Sequence, residues 1–200
     1  MKPDKEGDLV WPCYILFDES ASLNDLKLEA VKQTLQCISL ALITDPLADL
    51  LVRLGVVTFS DTAEESIPLS KLSDLWHLLG AVSRGGSNYT AAFTTVKLVI
   101  DRDISYLRSV GFRVLRPFIY FISDGKPTST DWRTAHAALT SLNDQFAPNI
   151  LSCGVTGAVG EVIEEVAATS RNGRRMYWLA DEGIDLAGVV RECIREFGND

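Results

Sequence analysis

Five consecutive residues, Phe118-Ile119-Tyr120-Phe121-Ile122, carry no charge and break off at Ser123-Asp124-Gly125. A strand with one wet face alternates apolar and polar side chains. An unbroken apolar run of this length, rich in aromatic and β-branched residues, reads instead as a central strand buried on both faces. Such a strand needs neighbours on either side and helices above and below, so the rest of the chain has to supply them.

It does so in alternation. A first strand runs over Cys13-Tyr14-Ile15-Leu16-Phe17 and ends at Asp18, and Leu28, Val31, Leu35, Ile38 and Leu42 then recur at the spacing of an amphipathic helix. Thr44-Asp45-Pro46 stops that helix, because proline disfavours helical geometry in the residue before it. A second strand from Val52 to Phe59 leads through Ser60-Asp61-Thr62, a hairpin turn by its residue types, into a short segment from Glu64 to Pro68, with Pro68 marking an edge. A helix over Leu72 to Leu79, the loop Ser83-Arg84-Gly85-Gly86-Ser87-Asn88 and a helix from Thr90 to Ile104 precede the central strand. After it come a helix from Trp132 to Phe146, a strand from Ile150 to Val155, a helix from Glu161 to Ala168, a strand from Arg175 to Leu179 and a last helix from Ile184 to Phe197. The expected fold is α/β and doubly wound: a Rossmann-like, mostly parallel sheet with one short antiparallel edge strand and helices on both faces. No repeat or low-complexity linker divides the chain, which places a single domain over residues 8–198 with short mobile ends.

Charge and composition narrow the function. A formal net charge of -8 repels nucleic acid rather than steering it in. The charged start, Met1 to Asp8, does not resemble an export signal, and the apolar runs are too short to cross a bilayer. The four cysteines, Cys13, Cys37, Cys153 and Cys193, form no CxxC pair and read as buried thiols, so a reducing cytoplasm is expected.

In open α/β sheets ligands sit beyond the carboxyl ends of strands, where the strand order reverses. Polar clusters fall at such places: Asp18-Glu19-Ser20-Ala21-Ser22 after the first strand, Gly86-Ser87-Asn88-Tyr89-Thr90 in the Gly-Gly loop, and Ser123-Asp124-Gly125 after the central strand. Their donors are all oxygen: carboxylates at Asp18 and Asp124, hydroxyls at Ser20, Ser22 and Ser87. Hard oxygen donors suit magnesium first, with manganese or calcium possible, whereas zinc would call for His or Cys. Neutral hydroxyls leave net positive charge on the ion, which then attracts one more anion, such as an Asp or Glu of a partner protein.

Asp18-x-Ser20-x-Ser22 resembles the DxSxS motif of the metal-ion-dependent adhesion site in von Willebrand factor A domains. Ser87 in Gly85-Gly86-Ser87-Asn88 is similar to that family's threonine position, and Asp124 in Ser123-Asp124-Gly125 to its later aspartate. The resemblance implies metal contact by Ser20, Ser22 and Ser87, with Asp18 and Asp124 direct or through water, and a protein-binding role rather than catalysis. Tyr14 to Ser22, Gly55-Val56-Val57-Thr58-Phe59 and the Gly-Gly loop look most similar to small bacterial cytosolic members of tellurium-resistance and stress-response clusters. Ala21 stands where many members have glycine, and Ser87 keeps the threonine's oxygen without its methyl, departures that lower the expected metal affinity. Thr90, three residues beyond Ser87, is the alternative ligand if the loop is shifted.

Each cluster alone also fits a helix cap or a turn. It is the three together, in order and each at its place in one fold, that favour a metal site. Glu19 alternates away from the ligands, and His77 and His136 stand in helical stretches far apart, without the look of a catalytic pair. Trp76, Trp132 and Trp178 read as packing residues, although Trp132 is close enough to Asp124 in sequence to line the site's rim. Two other functions compete. A magnesium-dependent hydrolase or phosphoryl-transfer enzyme would use Asp18 as nucleophile, but Ser20 stands where many such enzymes place a second carboxylate, and neither a general acid nor a phosphate loop follows. A metal-free structural subunit would result if Ala21 and Ser87 had abolished binding.

Overall fold

The structure is a computed structural model and describes residues 7–20, 40, 50–71, 85–170 and 172–182. Apart from Leu40, the expected helices over Leu28–Leu42, Leu72–Leu79 and Ile184–Phe197, together with Ala21, Ser22, Cys37, Trp76, His77 and Cys193, lie outside the described residues.

The central run forms β5, Phe118–Ser123, and all of its residues are buried. On one side it pairs in parallel with β1, Leu9–Asp18, and on the other with β6, Asn149–Gly154. Beyond β1 lies β2, Val52–Phe59, also parallel, and then β3, Ala63–Lys71, antiparallel to β2. Beyond β6 lies the short β7, Tyr177–Leu179. The sheet order is β3-β2-β1-β5-β6-β7, so the chain winds outward one way from β1 and later returns to its other side at β5. That reversal is the doubly wound switch point, and the carboxyl ends of β1 and β5 flank it.

Three helices, α1 (Tyr89–Ser109), α2 (Trp132–Leu139) and α3 (Gly160–Val166), share one core with Tyr14 and Leu16 of β1 and Ile119 and Phe121 of β5. The residues that alternate to the opposite face, among them Cys13, Ile15, Phe17, Tyr120 and Ile122, are equally sealed. This is the two-sided burial that an unbroken apolar strand requires. Phe121 sits in an aromatic nest: Phe59 stacks on it at 5.9 Å, Tyr89 meets it edge-on at 5.1 Å and Phe93 lies at 5.6 Å. Trp132 closes the nest against Tyr89 and Phe93 and is 1% exposed, so it belongs to the core and not to a rim.

Several boundaries differ from the sequence reading for local reasons. β1 begins at Leu9, ahead of Cys13, because Leu9 and Val10 pair with a two-residue strand, β4 (Arg113–Val114), too short to register as a pattern. The edge strand β3 runs to Lys71, past Pro68, since an edge position leaves room for a residue without an N–H. Helix α2 stops at Leu139 rather than Phe146. Thr140 turns its hydroxyl back onto the His136 carbonyl, and Asp144 is held by Lys97 of α1 while its other oxygen accepts the Phe146 N–H.

His136 is half-buried between α2 and α3, its ring against Phe93 and Trp132 and its Nε2 on the Val166 carbonyl, so Nε2 carries the proton of a neutral imidazole. Burial lowers its pKa below the usual 6.5, outweighing the Val166 carbonyl and Glu165, which act the other way. The unfolded chain therefore binds that proton more readily, and stability falls as pH drops through and below about 6.5. Unfolding midpoints taken from pH 7.5 to 5 should fall more steeply in the wild type than in His136→Gln. Parallel curves would show that His136 does not contribute to the slope.

Candidate metal centre

The site assembles because β1 and β5 run side by side in register. Phe17 pairs with Ile122, so one step further Asp18 lies beside Ser123, and the Ser123 hydroxyl donates to Asp18 Oδ2 at 2.7 Å. A hydroxyl has one hydrogen to give, and this one is spent on Asp18. Tyr89 OH, 2.6 Å from Ser123 Oγ, is then the donor of that pair, and the Gly125 N–H adds a second donor at 3.1 Å. A buried relay thus runs from the aromatic nest through Ser123 to the Asp18 carboxylate.

The other oxygen, Asp18 Oδ1, accepts the Ser20 N–H at 2.9 Å in a tight turn and the Ser87 hydroxyl at 3.3 Å. Asp18 and Asp124 are 0% exposed, Ser20 1% and Ser87 2%. Four of the five predicted ligands therefore sit sealed at the switch point; Ser22 lies outside the described residues. Asp124 is tied to the next loop: its carbonyl accepts the Val159 N–H at 2.9 Å, and Gly125 follows at φ +71 with Val159 backbone where a side chain would have to go. Lys126 reaches Asp124 Oδ2 at 3.6 Å from the exposed side. Thr90, the alternative to Ser87, does not take part in this hydrogen bonding. Its hydroxyl is sealed from solvent and has no hydrogen-bond partner among the described residues, and the residue lines a cleft of about 440 Å3 beside the site with Asn88, Thr94, Thr95, Thr128 and Asp131.

Burial pushes the Asp18 carboxyl above the ordinary carboxylate range. Hydrogen bonds from Ser123 and Ser20 oppose that rise, and the neighbouring Asp124 adds to it. Two sealed carboxylates in each other's field are costly unless positive charge offsets them, and Lys126 meets Asp124 only from the exposed side at 3.6 Å. The donor set fits that need: carboxylate and hydroxyl oxygens match a hard divalent cation, and among the described residues no three His, Cys, Asp or Glu side chains gather as an alternative metal cluster.

Sequence reasoning passed over residues that organise these groups. Ser123 and Tyr89 appeared only as parts of a strand end and a loop, and Asp61 only as a turn residue. Asn88 Oδ1 accepts the Ala91 N–H and so caps α1, a role its residue type and its place before the helix do signal.

The family model described as the von Willebrand factor type A domain matches residues 13–191. No curated protein matches the chain. Among solved structures, the protein BatB from Bacteroides thetaiotaomicron is 16% identical with a TM-score of 0.67, over 96% of this chain and 100% of that one. The manganese-loaded TRAP protein of Plasmodium vivax is 16% identical with a TM-score of 0.64, over 94% of this chain and 75% of that one. Proximal thread matrix protein 1 from the mussel byssus, with a zinc-occupied MIDAS motif, is 16% identical with a TM-score of 0.61 over 95% of this chain, which spans 47% of the mussel protein. At these identities the likeness is one of fold.

Proposed function

Because the chain belongs to the von Willebrand factor type A domain family, we propose that it is a binding module rather than an enzyme, and that it takes up a carboxylate of a partner protein through one divalent cation. What supports this most directly is the pair Asp18 and Asp124, wholly buried side by side among serine hydroxyls at the switch point of the sheet. Ser20, Ser22 and Ser87 would hold the ion, with Asp18 and Asp124 direct or through water. When bound, the ion supplies a positive charge only partly neutralised by its donors, to which an Asp or Glu side chain is drawn. Magnesium is the ion we assign, with manganese or calcium able to replace it; similar folds carry zinc or manganese.

The chain's own residues prepare that contact. Asp18 accepts the Ser87 hydroxyl hydrogen, and this leaves the Ser87 lone pairs free to face a cation. Ser123, fed by Tyr89, holds the opposite oxygen of Asp18, so the carboxylate cannot swing away. Burial keeps bulk water from competing for these oxygens. Position 20 offers a hydroxyl where a phosphoryl-transfer site would have a second carboxylate, and the ring of His136 is engaged at the α2–α3 contact, which supports binding over catalysis.

We also place the chain among the small bacterial cytosolic members of tellurium-resistance and stress-response type, on the runs Tyr14 to Ser22 and Gly55 to Phe59. Cys13 and Cys153 are buried cysteines, which fits a reducing compartment. Among the described residues no helix is long and apolar enough to cross a membrane.

The test is a library of short peptides panned on the folded domain with millimolar Mn2+ and again with EDTA. Peptides retained only with the ion, and lost when their Asp or Glu is changed to Asn or Gln, are the expected result. Peptides that bind equally in EDTA, or without an acidic residue, would refute the metal bridge.

A further inference from the structure

We propose that Asp61, in the turn between β2 and β3, is a positioning residue for the metal centre, one that holds the Gly85-Gly86-Ser87 loop so that the Ser87 hydroxyl faces Asp18. The inference rests on the metal reading above and adds a residue that the ligand motif does not contain.

Asp61 engages the loop with both its side chain and its backbone. Its Oδ1 accepts the Gly86 N–H at 2.8 Å, and its carbonyl accepts Asn88 Nδ2 at 3.0 Å. Ser60 adds a third tie, its carbonyl accepting the Asn88 N–H at 2.7 Å. Ser87 is thus flanked on both sides by residues fastened to one turn.

The fit of the carboxylate explains the two glycines. Gly85 has φ +59, and a Cβ there would overlap the Asp61 carboxylate; a Cβ at Gly86 would run into Thr128 on one side and crowd Asp61 on the other. Thr128 closes the clamp, since its N–H and its hydroxyl both reach the Ser87 carbonyl, at 3.0 and 3.2 Å. The same β2 end also anchors the first ligand loop, because the Phe59 carbonyl accepts the Glu19 N–H at 2.8 Å. One short turn therefore sets the loop that carries Ser87 against the loop that carries Asp18 and Ser20. Asp61 is itself exposed, so its role is not to fill the core.

The experiment is Mn2+ titration calorimetry on folded wild type, Asp61→Ala and Asp61→Asn, with thermal midpoints without metal and amide exchange at Gly86 measured beside it. Asparagine keeps an Oδ1 that can accept the Gly86 N–H; alanine does not. Outer groups that orient metal ligands contribute about tenfold or more to affinity. Asp61→Ala should bind Mn2+ about tenfold more weakly, with faster Gly86 exchange and a metal-free midpoint close to wild type, while Asp61→Asn should stay near wild type. Equal losses in both variants would overturn the proposal in favour of simple charge attraction, and unchanged affinity in alanine would overturn it outright. If the wild type itself takes up no Mn2+, the metal reading fails and this inference fails with it, an outcome distinct from a binding wild type with an unaffected Asp61→Ala.

Discussion

Asp18→Ala should abolish the rise in unfolding midpoint that millimolar Mn2+ or Mg2+ gives the wild type. A ligand that binds only the native state stabilises it by mass action, about 2.7 kcal/mol at a hundredfold excess over the dissociation constant. For a domain of this size, each kcal/mol moves the midpoint by roughly 2–4 °C, so the wild type should gain about 5–10 °C. Asp18 accepts from three residues at the switch point, Ser123, Ser20 and Ser87. Its removal leaves those hydrogens without their acceptor, so the hydroxyls lose the orientation that turns their lone pairs toward a cation. Without metal the variant should change much less, because loss of the hydrogen bonds is offset by removal of a buried carboxylate. Scanning calorimetry of both proteins with and without the ion decides the matter. A wild type whose midpoint does not move would leave a metal-free scaffold as the better description of the chain.

Phe121→Ala should lower stability by about 3–5 kcal/mol, the usual cost of emptying a sealed aromatic site. Phe121 is wholly buried on the face of β5 that meets the described helices, in contact with Phe59, Tyr89 and Phe93 at once. The void would sit between two strands and the start of α1, where the backbone on each side is held in a sheet or a helix and collapses poorly. Guanidinium denaturation would read the loss from the shift in transition midpoint at constant slope. A change under 1 kcal/mol would mean that the nest repacks and that Phe121 is not its keystone. The two variants separate scaffold from site. Phe121→Ala should unfold more easily yet still gain stability from added ion, whereas Asp18→Ala should stay folded and gain none.

The order of strands and helices was open to reading because burial leaves a pattern in the residues themselves. The central strand, the antiparallel turn at Ser60-Asp61-Thr62 and the long helix after the Gly-Gly loop stand close to where periodicity and turn residues placed them. The ends of elements were harder. β4 has only two residues, and α2 is cut short by Thr140 and by the pull of Lys97 on Asp144, an attraction between residues remote in sequence. The candidate site divides in the same way. Asp18, Ser20, Ser87 and Asp124 were named from residue type and place after strands, and the structure brings them to one end of the sheet. Ser123, Tyr89 and Asp61 carry no such mark, for a serine at a strand end, a tyrosine opening a helix and an aspartate in a turn all have ordinary uses.

From the sequence alone came the alternation that requires a parallel sheet between helices, the oxygen-only chemistry of its loops and the net negative charge. These are properties of residue type and spacing, and they survive without coordinates because burial and ligand hardness act on one residue or one element at a time. Only the tertiary structure decided which hydrogen goes to which oxygen. The relay from Tyr89 through Ser123 to Asp18, and the hold of Asp61 on the Gly85-Gly86 loop, join residues separated by tens of positions. Their geometry depends on the register of β1 against β5 and on where the turn after β2 comes to rest, and hydrogen bonds sensitive to a few tenths of an ångström exist only once those long-range pairings are made.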